Sequence, residues 1–198
     1  PKIEIYMRIL IDIGHPAHVH YFKNLYWELI QHKHKVYITC KSINSITTLL
    51  KYYKIPFTEL GDKGNGIREK IFKQVKDVKK IANLIRKRDI KLAIGVSALA
   101  VHSSKITKCK SILFDDDDQA VQPLTAKYVT PFADCVISPD VLKYERLKNT
   151  IYYPGTHELA YLHPKRFNPN PGVLEKNGLS IDDKYYILRF NAFKAHHD

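Results

Sequence analysis

Several absences bound this 198-residue sequence before any motif is read. It has three cysteines, Cys40, Cys109 and Cys135, widely spaced, odd in number and with no CxxC pair. A disulfide framework and a cysteine-rich zinc module are therefore disfavoured, and the thiols read as small buried residues of a cytoplasmic protein. No apolar run approaches the roughly 20 residues needed to span a bilayer. The N-terminus lacks an apolar core followed by a small-residue cleavage site, so no signal peptide is expected. G-x-G-x-x-G and G-x-x-x-x-G-K-[ST] are both missing, which removes most support for dinucleotide and P-loop readings. There is no internal repeat and no low-complexity tract.

What is present suffices for an ordinary core: 44% of residues are apolar, enough for one large domain or one domain and part of another. The formal charge of +12 is unevenly spread, with residues 63 to 110 holding 14 Lys/Arg against Glu69, Asp77 and Asp89. Such a segment suits nucleic acid, an anionic membrane surface or a phosphorylated ligand; the plain alternative is a solvated helix face. From Ile67 to Arg88 the apolar positions Ile67, Ile71, Val75, Val78, Ala82 and Ile85 step by three or four, which predicts a long amphipathic helix with its cations outward.

Elsewhere short apolar runs alternate with helical patterns. Ile9 to Ile13, "KVYIT", "FTEL", "KLAIGV", "SILF" and "DCVISP" read as strands. A helix is expected from about His18 to Gln31, others over "SITTLLKYY", "SALAVHSSKI" and "PLTAKYV". That alternation predicts a Rossmann-like α/β fold, a parallel sheet with helices on both faces. After "YYPGTHELAYLHP" the texture changes: Pro164, Pro169 and Pro171 mark a linker. A short helix, "GVLEKNGL", and a strand, "KYYILRF", follow as the expected start of a second α/β domain.

Ligands of open parallel sheets bind beyond the carboxyl ends of the strands. The polar oddities of this sequence collect there: Gly14, His15 and His18 after the first strand, Ser97 after the fourth, Asp115 to Asp118 after the fifth. "IDIGHPAHVHYF" places three histidines within six residues of Gly14. Histidine beside a helix N-terminus can donate to phosphate or take a proton near neutral pH. A zinc site needs three or four converging ligands, and His18 and His20 diverge on a helix, so no metal is expected. A purely structural loop stays open beside ligand contact. In "FDDDDQ", Asp115 and Asp116 lie nearest the strand end as candidate base or Mg²⁺ ligand, while Asp117 or Asp118 is a candidate helix cap; a solvated acidic turn is the plain alternative. "GTHELAYLHP" adds His157, Glu158 and His163 just before the linker, where ligand could touch a hinge.

"MRILIDIGHPAHVHYFKNL", "FDDDDQA", "PFADCVISP", "YPGTHELAYLHPKRF" and "RFNAFKAHHD" closely resemble the family called domain of unknown function 354, from about Met7 to Asp198. That family is similar to two-domain GT-B proteins, the architecture of many nucleotide-sugar glycosyltransferases and of UDP-N-acetylglucosamine 2-epimerase. The resemblance implies an N-terminal Rossmann-like domain over 7–165, with 166–198 as linker and truncated start of a C-terminal domain. The chain departs from the family pattern at Asp117, Asp118 and Gln119, and at Phe193 and His196. In the epimerases an acidic residue after the corresponding strand takes part in catalysis; by fold analogy that falls on Asp115 or Asp116.

The leading expectation is thus a nucleotide-sugar enzyme of surface polysaccharide synthesis, by glycosyl transfer or epimerisation. His18, Asp116 and Asp115 are its candidate catalytic residues, with Gly14, His15, Ser97, His157 and Glu158 contacting ligand. No cofactor is expected. The partners are a nucleotide-sugar, a saccharide acceptor and an anionic membrane met peripherally on its cytoplasmic side. The alternative is a non-catalytic sugar- or partner-binding module. Nucleic-acid binding is weakened because Phe72 is the one aromatic between Ile67 and Arg88, too few for base stacking.

Overall fold

The computed structural model describes residues 6–62, 66–145 and 148–188. Seven strands form one all-parallel sheet in the order β3-β2-β1-β4-β5-β6-β7. They are β1 (Arg8–Ile13), β2 (Lys35–Cys40), β3 (Thr58–Glu59), β4 (Leu92–Gly95), β5 (Lys110–Phe114), β6 (Cys135–Pro139) and β7 (Thr150–Tyr153). The Rossmann-like α/β expectation is met. β1 is central because Ile9, Leu10, Ile11 and Ile13 are each at most 2% exposed, and only a strand covered on both faces can hide so continuous an apolar run. The strand order reverses between β1 and β4, and that crevice is the sheet's topological switch point.

Two helical layers cover the sheet. On one face α1 (Pro16–Gln31) and α2 (Asn44–Tyr52) bury Val19, Phe22, Tyr26, Ile46 and Leu50 in the same cluster as Ile9, Ile11, Ile13 and Ile38. On the other, α3 (Ile67–Arg88) and α4 (Ala98–Lys105) bury Ile81, Ile85, Leu99 and Ala100 with Leu10 and Ala93. α4 comes close because residue 95 is glycine: a Cβ there would sit 3.1 Å from Ala100 Cβ and 3.6 Å from Asp12 Cβ. α5 (Pro123–Tyr128) and a 3₁₀ turn at Thr130–Phe132 lead into β6; a second, Asp140–Glu145, follows it.

Several sequence expectations change. The first helix starts at Pro16, not at His18, because Pro16 presets the first turn and His15 caps it. The third strand shrinks from "FTEL" to Thr58–Glu59. β7 was not expected; it lies at the sheet's end and carries two tyrosines where a buried strand would carry aliphatics. The expected amphipathic helix over 67–88 forms, but its apolar stripe divides: Ile81 and Ile85 are buried, whereas Ile71 and Val75 are 59% and 50% exposed. Neither Asp117 nor Asp118 caps α5, whose N-cap is Gln122; Asp118 Oδ1 instead accepts the Ala120 N–H at 2.7 Å. Cys40 and Cys109 are buried and free, their thiols pushed up to about 12 by desolvation, while Cys135 is half-buried.

The chain divides into two compact units between Tyr161 and Leu162. α6 (Leu159–Leu162) spans that point. In the second unit α7 (Gly172–Lys176) is capped at Asn177 and followed by Gly178, whose φ of 73° suits glycine, with Leu179 N–H donating to Leu174 O. The strand expected over "KYYILRF" is absent from residues 184–188: Tyr186, Ile187 and Leu188 are at least 80% exposed, and a lone strand has no ladder to satisfy its backbone. Its last two residues, and the "RFNAFKAHHD" motif with Phe193 and His196, lie outside the described residues.

Candidate functional site

The rim begins at the turn from β1 into α1. His15 Nδ1 accepts the Ala17 N–H at 3.2 Å, so this histidine is the side-chain N-cap of α1. One turn on, His18 reaches back and its Nδ1 accepts the Gly14 N–H at 3.2 Å. With both Nδ1 atoms serving as acceptors, the neutral rings carry their proton on Nε2. Nε2 is then the donor nitrogen of each ring. Gly14 sits between these elements, and a Cβ there would lie within 3.9 Å of the His18 ring and of Ser97 Cβ.

The second half of the site comes from β5 and the segment after β7. Asp116 Oδ2 lies 3.0 Å from His157 Nδ1. The contact has ion-pair distance without the alignment of a full hydrogen bond, and both ring nitrogens are shut off from solvent. His157 is 6% exposed and caged by aromatic rings: Tyr21 at 5.3 Å, Phe114 at 5.7 Å and Tyr153 at 5.8 Å between centroids. Those rings fix it behind the carboxylate. His157, foremost, holds the Asp116 carboxyl below the usual carboxylate range against partial burial, which pushes the other way. His157 and Phe114 also line an open, mainly apolar pocket of about 340 Å³ with Ile137, Tyr153, Leu159 and Ala160.

Tyr21 links the two halves. It stacks on His18 at 6.1 Å, meets His157 at 5.3 Å and Tyr161 at 5.8 Å. Burial, then the negative charges of Asp116 and Glu158, push its phenol up to about 12, so it remains a proton donor. Sequence reasoning missed Tyr21, although its position three residues after His18 puts both on one helix face. Asn24, one turn further, donates to Ala160 O at 2.7 Å and ties α1 to the segment carrying His157.

Other expected site residues divide differently. Ser97 donates its hydroxyl to Asp12 Oδ2 at 2.8 Å, and Thr39 donates to Asp12 Oδ1 at 2.8 Å. Asp12 is 1% exposed and its carboxyl is pushed up by desolvation, with Thr39, Ser97 and Lys41 opposing. Ser97 thus serves a buried carboxylate joining β1, β2 and the start of α4. Asp12 was hidden inside the apolar run "LIDI"; the signal was a charge where a central strand admits none unpaired. The Asp115 amide continues the β5–β6 ladder to Ile137 O, and its carboxylate accepts the Asp117 N–H at 3.5 Å. Glu158 is exposed beside the aromatic cage and acts on Tyr21 and Tyr153 through charge. His163 falls in the second unit, where its Nδ1 accepts the Lys165 N–H at 3.1 Å. Among the described residues no three His, Cys, Asp or Glu side chains converge as a metal ion requires, and no helix is long and apolar enough to cross a membrane.

The fold and the sequence both have relatives. The chain is 23% identical over 193 residues to the uncharacterized protein MJ0665 of Methanocaldococcus jannaschii, covering 93% of this chain and 56% of that protein. A glycosyltransferase from Rickettsia africae superposes with TM-score 0.58 at 15% identity, over 87% of this chain and 48% of its own. UDP-GlcNAc 2-epimerase from Neisseria meningitidis, solved with UDP-GlcNAc bound, gives 0.63 at 11% identity, over 79% and 49%. At such identities the likeness establishes the fold: a Rossmann-like α/β unit of the kind found in GT-B proteins. The chain spans about half the length of these relatives. Residues 7–195 match the family described as a protein of unknown function, DUF354. The chain belongs to the DUF354 family.

Proposed function

We propose that this chain is the acceptor-side half of a nucleotide-sugar enzyme, one that transfers or epimerises a sugar in cytoplasmic steps of surface polysaccharide synthesis. The observation that carries the reading is the Asp116–His157 pair, set with His18 and Tyr21 at the carboxyl ends of a GT-B-like sheet. Asp116 keeps 29% of its side chain exposed whereas His157 keeps 5%, so the carboxylate meets the substrate and the imidazole works behind it. Asp116, anionic across the neutral range, accepts the proton of a saccharide hydroxyl. His157 positions it. The His18 Nε2–H and the Tyr21 phenol donate to developing negative charge on the sugar or leaving diphosphate. The Gly14–His15 turn contacts the same ligand, with Glu158 on the outer rim; Asp115 braces the turn and Ser97 braces Asp12. The nucleotide is held by a second domain over residues beyond about 165.

A base lowered in this way sets the pH profile. The acid limb of kcat/KM lies below the ordinary carboxylate range and moves upward in His157→Phe, which keeps the ring packing and removes Nδ1. Asp116→Asn lowers kcat by about 10²–10⁴-fold, the usual worth of a general base. The assay is product formation from a nucleotide-sugar panel by the chain with its second domain supplied. Unchanged turnover in Asp116→Asn removes the catalytic assignment. A second reading, a non-catalytic saccharide-binding module, is favoured by the clustered faces of Tyr21, Tyr153 and Tyr161. It predicts saccharide binding that survives Asp116→Asn with no turnover under any condition.

A further inference from the structure

The two halves of α3 meet different surroundings. Ile81, Ala82 and Ile85 are at most 2% exposed against the sheet, whereas Ile71, Phe72 and Val75 are 59%, 70% and 50% exposed. Ile106, just past α4, is 49% exposed and lines an open groove of about 470 Å³ with Ile71, Val75 and Val78. At about 100° per residue, Ile71, Val75 and Phe72 share roughly 100° of helix circumference, and Arg68, Lys76 and Lys79 fall within or beside that arc. Among the described residues of α3 no acid shares it. Glu69 lies further round, paired with Lys73 at 2.9 Å, and Asp77 is buried against Lys41 at 2.5 Å.

We propose that this face of α3 docks peripherally on an anionic lipid bilayer. Ile71, Phe72 and Val75 enter the boundary between headgroups and acyl chains, and Arg68, Lys76 and Lys79 meet the lipid phosphates. Charge decides the occupant. A polyanion such as nucleic acid would use the cations but not the exposed aliphatic side chains, and one aromatic gives it no stacking platform. An apolar protein partner would leave three cations without counter-charge. An anionic bilayer satisfies both parts of the surface at once, as amphipathic surface helices do. The inference needs no assumption about catalysis, so it stands or falls separately from the nucleotide-sugar reading.

The test is co-sedimentation of the full chain with phosphatidylglycerol-containing vesicles and with pure phosphatidylcholine vesicles, at low and near-physiological salt. The wild type binds the anionic vesicles and not the neutral ones. Arg68→Gln/Lys76→Gln/Lys79→Gln weakens binding by about a hundredfold, at roughly fivefold per cation. Ile71→Ser/Phe72→Ser/Val75→Ser, with all charges kept, weakens it at least tenfold. Insertion is read separately from Phe72→Trp in a Trp27→Phe background, whose emission shifts to the blue on binding and decides the matter if a triple variant folds poorly. Equal binding to neutral vesicles, wild-type binding by the folded serine variant, or unshifted emission from the Phe72→Trp variant in the presence of anionic vesicles overturns the proposal. The last two results would assign the surface to polyanions in general.

Discussion

Replacing Asp116 by asparagine should cost the fold stability at neutral pH and cost it progressively less as the solution is made acid. The substitution keeps shape and one acceptor oxygen while deleting the charge that faces His157 Nδ1 at 3.0 Å. An exposed ion pair is worth about 0.2–1 kcal/mol and a broken fully buried one about 3–5 kcal/mol. With side chains 29% and 5% exposed, this pair belongs between them, and about 1–2 kcal/mol is expected. For a chain of this size the urea slope is about 2–3 kcal/mol/M, so the midpoint falls by about 0.5 M. The Asp116 carboxyl is lowered in the folded state, chiefly by His157. Its contribution is therefore fully present above the unfolded pKa of about 3.9 and is lost as pH falls through the folded value. Urea melts of wild type and variant should be separated at pH 7, and the gap should narrow as pH falls below about 3.9 towards the lowered folded value. A double-mutant cycle with His157→Phe should return a coupling of about 1–2 kcal/mol. Coincident melts at pH 7, a gap that does not narrow as pH falls below about 3.9, or a coupling near zero would refute the ion-pair reasoning.

The buried carboxylate of β1 carries the opposite sign. Burial raises the folded pKa of Asp12, so its contribution is fully present below about 3.9 and is lost as pH rises through the folded value; stability profiles of Asp12→Asn should lack that loss. Asp12→Leu, which strips the acceptor from both Thr39 and Ser97, should destabilise by about 2–4 kcal/mol in urea melts. Gly95→Ala places a methyl 3.1 Å from Ala100 Cβ and should cost about 1–3 kcal/mol by overpacking, read as a lowered melting temperature. His15→Ala removes the acceptor for the Ala17 N–H and should cost about 0.5–1 kcal/mol, with fraying of the first turn of α1 seen by amide exchange.

The parallel sheet was legible because a strand buried on both faces has to be apolar throughout, as Ile9 to Ile13 nearly are, and because strands alternating with helices leave few topologies. The rim was legible for the same reason: topology dictates where strand ends gather, so His18 and Asp116 could be placed on one side of the sheet without knowing a contact. Pairing was another matter. Asp116 and His157 lie far apart in the chain, and adjacent His157 and Glu158 gave no hint of which would turn inward. The aromatic cage decided that, and it depends on β7, whose tyrosines do not read as a strand. Ser97 looked like a ligand contact because its partner Asp12 was concealed in an apolar run. α3 shows the limit of periodicity: the apolar stripe identifies a face, but whether anything covers it depends on how far the sheet extends beneath, so Ile71 and Val75 read like Ile81 and Ile85.

The most direct measurement of the central claim is turnover of a nucleotide-sugar panel, with UDP-N-acetylglucosamine among its members, by the chain joined to a C-terminal domain, comparing wild type, Asp116→Asn and His157→Phe across pH. Product from the wild type, a loss of about 10²–10⁴-fold in Asp116→Asn and an acid limb displaced upward in His157→Phe are the predicted results. Full turnover by Asp116→Asn, or pH profiles that overlay for wild type and His157→Phe, would contradict the claim that this pair performs the chemistry.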